Sequence, residues 1–160
     1  MAPASDRPRH SGILRRRPRP SPARLARLLE GGGCDDQTFA AAGQIPRLMA
    51  ELEKGPLRQF TPCRFRSLDQ MVRALAVVQT ELMLIHPFRD GNGRVGRMLA
   101  ILMALQARLP PLNFGSVRGR KRQQYFAAVR AGLERNYEPM ERIFSAVIRR
   151  TLEISQARRL

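Results

Sequence analysis

Leu68, Met71, Val72, Leu75, Val78, Leu82 and Ile85 recur at the spacing of one broad helix face. Ser67, with Gln70 three positions on, has the form of a capping box that opens this helix. The helix runs into a polar stretch beginning at His86, beyond which residues 98–109 are apolar almost all round. That second run predicts the central buried helix of the core, with Pro110 and Pro111 as its stop. Tyr125, Phe126, Val129 and Leu133 predict a further helix over 118–135, whose basic first turn opposes the helix dipole. A last helix begins near Pro139 and carries Ile143, Phe144, Val147, Ile148 and Leu152 to close a bundle.

The preceding residues are less regular. Phe39, Ile45, Leu48, Met49 and Leu52 sit at roughly helical spacing, interrupted at Gly43 and Pro46 and closed by Gly55, which predicts two short helices over 36–54. Residues 56–66 hold Leu57, Phe60, Phe65 and two prolines without a helical period, and an irregular hairpin fits them. Ser21-Pro22 followed by Leu25, Leu28 and Leu29 predicts a short helix ended by Gly31-Gly32-Gly33. Ahead of it, Pro and Arg alternate with hardly any apolar content. The chain therefore divides into a basic, largely disordered arm over 1–33, with a short helix near its end, and a helical domain over 34–160.

Composition narrows the function classes. A chain of 160 residues supports one domain with a real core, and 43% hydrophobic residues with no Trp fits a helical core of Leu, Ala, Ile, Val and Met. No run is long enough to span a membrane and no secretory signal is visible, so the expected location is the cytoplasm, with delivery into another cell left open. Cys34 and Cys63 offer neither metal-ligand spacing nor a disulfide framework and read as free thiols. The balance of 29 Lys plus Arg against 13 Asp plus Glu, a formal +16, predicts non-specific attraction to polyanions, much of it through the arm. The arm has no aromatic residues among its arginines to serve as a stacking platform for single strands.

Chemistry is concentrated between His86 and Arg97. Gly91, Asn92 and Gly93 should open a helix, where glycines let N–H groups turn toward an anion and the dipole favours phosphate. Arg94 and Arg97 lie three apart on that helix, each able to hold phosphate oxygens through a planar fork. Asp90 would be repelled by bare phosphate, and its position makes sense with Mg²⁺ between them. His86, kept neutral by nearby arginines and a helix N-terminus, is the natural general base. Pro87 ends the incoming helix, and Phe88 is expected to plug the loop into the core. Taken singly, the histidine reads as a helix cap and the arginines as a solvated face. Together in one window they read as a nucleoside triphosphate site.

His86-Pro87-Phe88-Arg89-Asp90-Gly91-Asn92-Gly93-Arg94-Val95-Gly96-Arg97 resembles the Fic family signature His-Pro-Phe-x-Asp/Glu-Gly-Asn-Gly-Arg-x-x-Arg at every fixed position. The resemblance runs from about residue 60 to 148. It implies an all-α helical bundle with a small β-hairpin flap before the signature helix, and transfer of AMP from Mg²⁺-ATP to a Ser, Thr or Tyr hydroxyl of a target protein. In that reading His86 is the base, Asp90 holds the metal, Gly91, Asn92 and Gly93 form the anion hole, and Arg94 and Arg97 hold the outer phosphates. Residues 56–66 would be the flap, which clamps target backbone by strand addition. The alternatives are transfer of another phosphate-containing group, and an inactive basic protein that binds nucleic acid or serves interactions.

Many members of the family are held off by a helix of pattern Ser/Thr-x-x-x-Glu-Gly/Asn, whose Glu pairs with the second signature arginine, here Arg97. Ala26-Arg27-Leu28-Leu29-Glu30-Gly31 is the near match in this chain, with Ala in place of the hydroxyl residue. The resemblance therefore points to a separate small antitoxin as the source of that Glu, or to none.

Overall fold

A computed structural model of the chain describes residues 39–117 and 120–158. The basic arm, its short helix, Glu30 and Cys34 lie outside the described residues. Five helices carry the fold: α1 (Ile45–Leu52), α2 (Leu68–Ile85), α3 (Asn92–Gln106), α4 (Arg120–Ala131) and α5 (Glu138–Ala157). Among the described residues there is no strand, and no helix is long and apolar enough to cross a membrane.

The centre of the bundle is α2, against which α1, α3, α4 and α5 all pack. Its first turn is capped as its sequence predicts, Ser67 Oγ accepting from the Gln70 N–H at 3.2 Å. From Ala74 to Thr80 every residue is buried, so the helix is enclosed on all sides rather than along one face. Small side chains at Ala74 and Ala76 let neighbouring helices approach this crowded axis. Phe144, Val147 and Ile148 of α5 complete the same core, each burial contributing roughly 1.5–3 kcal/mol.

The expectation that residues 98–109 form the central buried helix is corrected here. In α3 the buried positions are Asn92, Gly96, Ala100, Met103 and Ala104, a single stripe against α2. Met98 is 58% and Leu102 51% exposed, and Val95 and Leu105 also face outward. An apolar circumference allows full burial without requiring it, and α2 already occupies the centre.

The two short helices expected over 36–54 are one helical run instead. A 3₁₀ turn over Ala42–Gln44 leads into α1, and a π turn over Glu53–Leu57 leads to a last turn at Arg58–Phe60. Pro46 falls in the first turn of α1, where its missing N–H costs no helical bond. Pro56 lies inside the π turn, whose wider winding accommodates a residue that cannot donate. Leu52 of α1 meets Leu82 and Ile85 of α2 in a small apolar cluster with Ile45, Leu48, Met49 and Leu99.

The irregular hairpin expected over 56–66 is not present. After Phe60 the chain is extended but pairs with no strand among the described residues. Cys63 is fully buried, and its N–H donates to Gln106 Oε1 at the end of α3, 2.8 Å away. Thr61 Oγ1 donates back to the Leu57 carbonyl, and Phe60 and Phe65 meet edge to face at 6.1 Å. Pro56 and Pro62 remove two ladder donors, and these local bonds and the burial of Cys63 tie the segment to the bundle instead.

Candidate active site

Helix α2 ends on His86, whose backbone takes the left-handed conformation (φ 52°, ψ 56°) while its N–H still bonds the Leu82 carbonyl at 3.1 Å. Pro87 disfavours a helical His86 and so sets the end of α2 here. The imidazole Nδ1 lies 3.4 Å from the Met83 carbonyl on the same helix. That contact, though long, favours the tautomer with hydrogen on Nδ1, leaving Nε2 to accept. Burial lowers the His86 pKa from its usual value, and the Met83 carbonyl opposes it. The neutral ring anticipated from nearby arginines is thus favoured chiefly by desolvation.

The loop beyond His86 is braced by Asn92. This side chain is 3% exposed and spans the turn, its Oδ1 accepting from the Phe88 N–H at 2.9 Å and its Nδ2 donating to the Phe88 carbonyl. Phe88 is 48% exposed, which corrects the expectation that it plugs the loop into the core. The backbone of Phe88 makes the anchor.

Gly91 is the N-cap of α3 with φ 88°, a conformation that side chains rarely adopt. Its carbonyl accepts from Arg94 N at 2.8 Å and Val95 N at 3.0 Å. The N–H groups of Asn92 and Gly93 have no earlier carbonyl within the helix. A Cβ placed on Gly91 would lie 3.3 Å from Arg94 Nη2, and one on Gly93 would lie 3.5 Å from Arg97 Nη1. Each guanidinium fork therefore lies against one of the two glycines in the first turn of α3, at the end of the helix whose dipole favours an anion.

Asp90 and Arg94 form an ion pair at 2.8 Å, with side chains 89% and 73% exposed. The carboxylate is a hard oxygen donor beside an anion cradle, which fits Mg²⁺ held jointly by one protein group and phosphates. Among the described residues no group of three or more His, Cys, Asp or Glu is placed to hold a metal by itself.

Three residues near the site were not singled out from the sequence. Phe39, read there as part of a helix face, precedes the helical run and stacks on His86. Gln79, 3% exposed in α2, lies under Gly96, where a Cβ would come within 2.6 Å of its Nε2. The same Nε2 donates to Tyr125 Oη of α4 at 2.6 Å. Burial raises the Tyr125 pKa, while the Gln79 bond and the Arg97 charge oppose the rise. A polar Gln directly after the apolar run from Ala74 to Val78 of α2 was the available signal for this contact. A separate groove of about 510 Å³ lies between α4 and α5, bordered by Lys121, Gln124 and Arg142, and no residue of the loop lines it.

Comparison with known proteins places these observations in a family. The model of the Fic/DOC family matches residues 7–104. The chain is 31% identical over 83 residues to a protein adenylyltransferase Fic of Culex quinquefasciatus, a match covering 52% of this chain and 16% of the relative. It is 41% identical over 46 residues to the protein adenylyltransferase fic-1 of Caenorhabditis elegans, covering 29% of this chain and 9% of that one. Among solved structures, the fold is similar to that of BepC, a VirB-translocated effector of Bartonella tribocorum crystallised with bound AMPPNP. The TM-score is 0.60 at 25% identity, over 73% of this chain and 54% of BepC. The chain matches less than a fifth of the length of these curated relatives, but the family model covers more than half of the chain itself, with the signature loop inside it: the chain belongs to the Fic/DOC family.

Proposed function

We propose that this chain is a protein adenylyltransferase that moves AMP from Mg²⁺-ATP to a Ser, Thr or Tyr hydroxyl of a target protein. The observation that carries the reading is the placement of the Arg94 fork against Gly91 and the Arg97 fork against Gly93 at the start of α3, in the loop that follows a histidine whose neutral form is favoured. The adenylyltransferase names of the relatives and the AMPPNP in BepC support a nucleoside triphosphate as the donor.

In the proposed reaction His86 Nε2 takes the proton of the target hydroxyl while the hydroxyl oxygen bonds to the α-phosphorus. The bond from the α-phosphorus to the oxygen bridging to the β-phosphate breaks, and pyrophosphate leaves. The N–H groups of Asn92 and Gly93 and the forks of Arg94 and Arg97 stabilise charge on the phosphate oxygens. Mg²⁺, when bound, would be held by Asp90 and would neutralise phosphate charge. Asp90, now paired with Arg94, would be the residue that holds the metal, and the Arg94 fork would then be free to hold phosphate.

Regulation by a carboxylate on Arg97 belongs to the same proposal. In that proposal the Glu comes from a separate small antitoxin, or there is none; Glu30 lies outside the described residues. Incubation with ATP labelled at the α- or the γ-phosphate tests the reaction: α-label on protein supports AMP transfer, and γ-label on protein means phosphate transfer instead.

A further inference from the structure

The Phe39 ring lies on the His86 imidazole with centroids 3.7 Å apart and planes inclined by 29°, close to parallel. The two residues come from different parts of the chain. Phe39 stands just ahead of the helical run that contains α1, and His86 is the C-cap of α2. Two features hold them together. The N–H of Ala40, next to Phe39, bonds the Leu84 carbonyl at 3.3 Å. Further along, the apolar cluster of Leu52, Leu82 and Ile85 seats α1 against the last turns of α2.

His86 needs such a support. It sits at a helix end in a left-handed conformation, and its polar contact, Nδ1 to the Met83 carbonyl at 3.4 Å, is long for a hydrogen bond. A bond of that length fixes the ring plane weakly. A flat aromatic face in van der Waals contact removes much of the remaining freedom about the ring torsion and keeps water from one face of the imidazole. Neither effect uses a charge. The charged residues in the same loop are Arg89 and Asp90, the latter held by Arg94.

We propose that Phe39 is a positioning residue for His86, a clamp from the segment before α1 that holds the imidazole in the plane from which Nε2 reaches the attacking hydroxyl. The proposal rests on His86 being the base of the reaction proposed above, and its test has an arm that needs no reaction. The ring current of Phe39 should shift the His86 ring protons upfield in the nuclear magnetic resonance spectrum. A His10→Gln variant assigns the signals, since the chain has 2 histidines.

In Phe39→Ala the upfield shift should disappear, and in Phe39→Tyr it should remain. On the kinetic side, Phe39→Ala should lower kcat for AMP transfer by about ten- to a hundredfold, the scale expected when a reacting group is misplaced, with KM for ATP nearly unchanged. Phe39→Tyr should recover most of the rate, and circular dichroism shows whether each variant is folded. A folded Phe39→Ala that loses the shift but keeps the wild-type kcat overturns the positioning role. His86 protons with the same shift in wild type and Phe39→Ala overturn the contact itself, whether or not the wild type transfers AMP. A wild type that shows the shift but transfers nothing contradicts the adenylyltransferase reading and leaves the contact established.

Discussion

Arg94 and Asp90 are bonded to each other, Nη2 to Oδ2 at 2.8 Å, across one turn at the start of α3. In the proposed reaction these two groups serve different ligands, the guanidinium a phosphate and the carboxylate a metal. Both side chains are largely exposed, and a solvated pair of this kind is worth about 0–1 kcal/mol, so little is lost when ligands separate them.

Asp90→Ala should therefore leave the melting temperature nearly unchanged while removing transfer activity and its Mg²⁺ dependence. Thermal melts and a chelator titration of label transfer check both parts. Transfer that persists in excess chelator would sink the metal assignment.

Asn92→Ala should act through folding as well as binding. It removes both bonds to the Phe88 backbone and leaves an N–H and a carbonyl without partners in a part-buried turn, at a cost of roughly 1–3 kcal/mol. Urea unfolding of the variant measures this. An unchanged midpoint would mean that the loop is not braced by this side chain.

Gly96→Ala tests the contact beneath α3. The new methyl would lie 2.6 Å from Gln79 Nε2, so Gln79 must move and strain its bond to Tyr125, a cost on the order of 1–3 kcal/mol for an overpacked site. Gln79→Ala in the same chain should relieve the clash, so the double variant loses less than the sum of the single losses. Strict additivity would show that the two sites do not touch.

Because burial lowers the His86 pKa, the neutral base should predominate down to a pH below the ordinary value of about 6.5. The rate should fall with acid only as pH passes down through that lowered value. Stability follows the same sign. Unfolded His86 takes up a proton near its ordinary pKa while the folded ring resists, so its contribution is complete above the unfolded value and is lost as pH falls from there to the folded one. A rate profile whose acid limb lies above pH 6.5 would contradict the assignment.

Much of this architecture is legible in the chain. The Ser67 cap, the period through Ile85, the glycine turn and the arginine spacing are local features, and local rules place them on α2 and α3. The identity of the central helix is not local. Residues 98–109 are more uniformly apolar than α2, yet α2 is enclosed because four other helices pack around it. The missing hairpin has a similar origin: the absent helical period misses the winding that continues through residues 56–60, and both the π turn at Pro56 and the bond from Cys63 to Gln106 depend on tertiary packing. Phe39 could not be assigned to His86 from spacing, since 47 positions separate them in the sequence.

The most direct test of the central claim is transfer of label from α-phosphate-labelled ATP to protein, run on wild type and on His86→Ala with Mg²⁺ present, with the chain alone and with a cell extract as the source of hydroxyls. The account predicts AMP-sized adducts with the wild type and none above background with His86→Ala, while equilibrium binding of ATP to the variant stays nearly unchanged. Equal labelling by both proteins, or loss of ATP binding together with activity in His86→Ala, would contradict it.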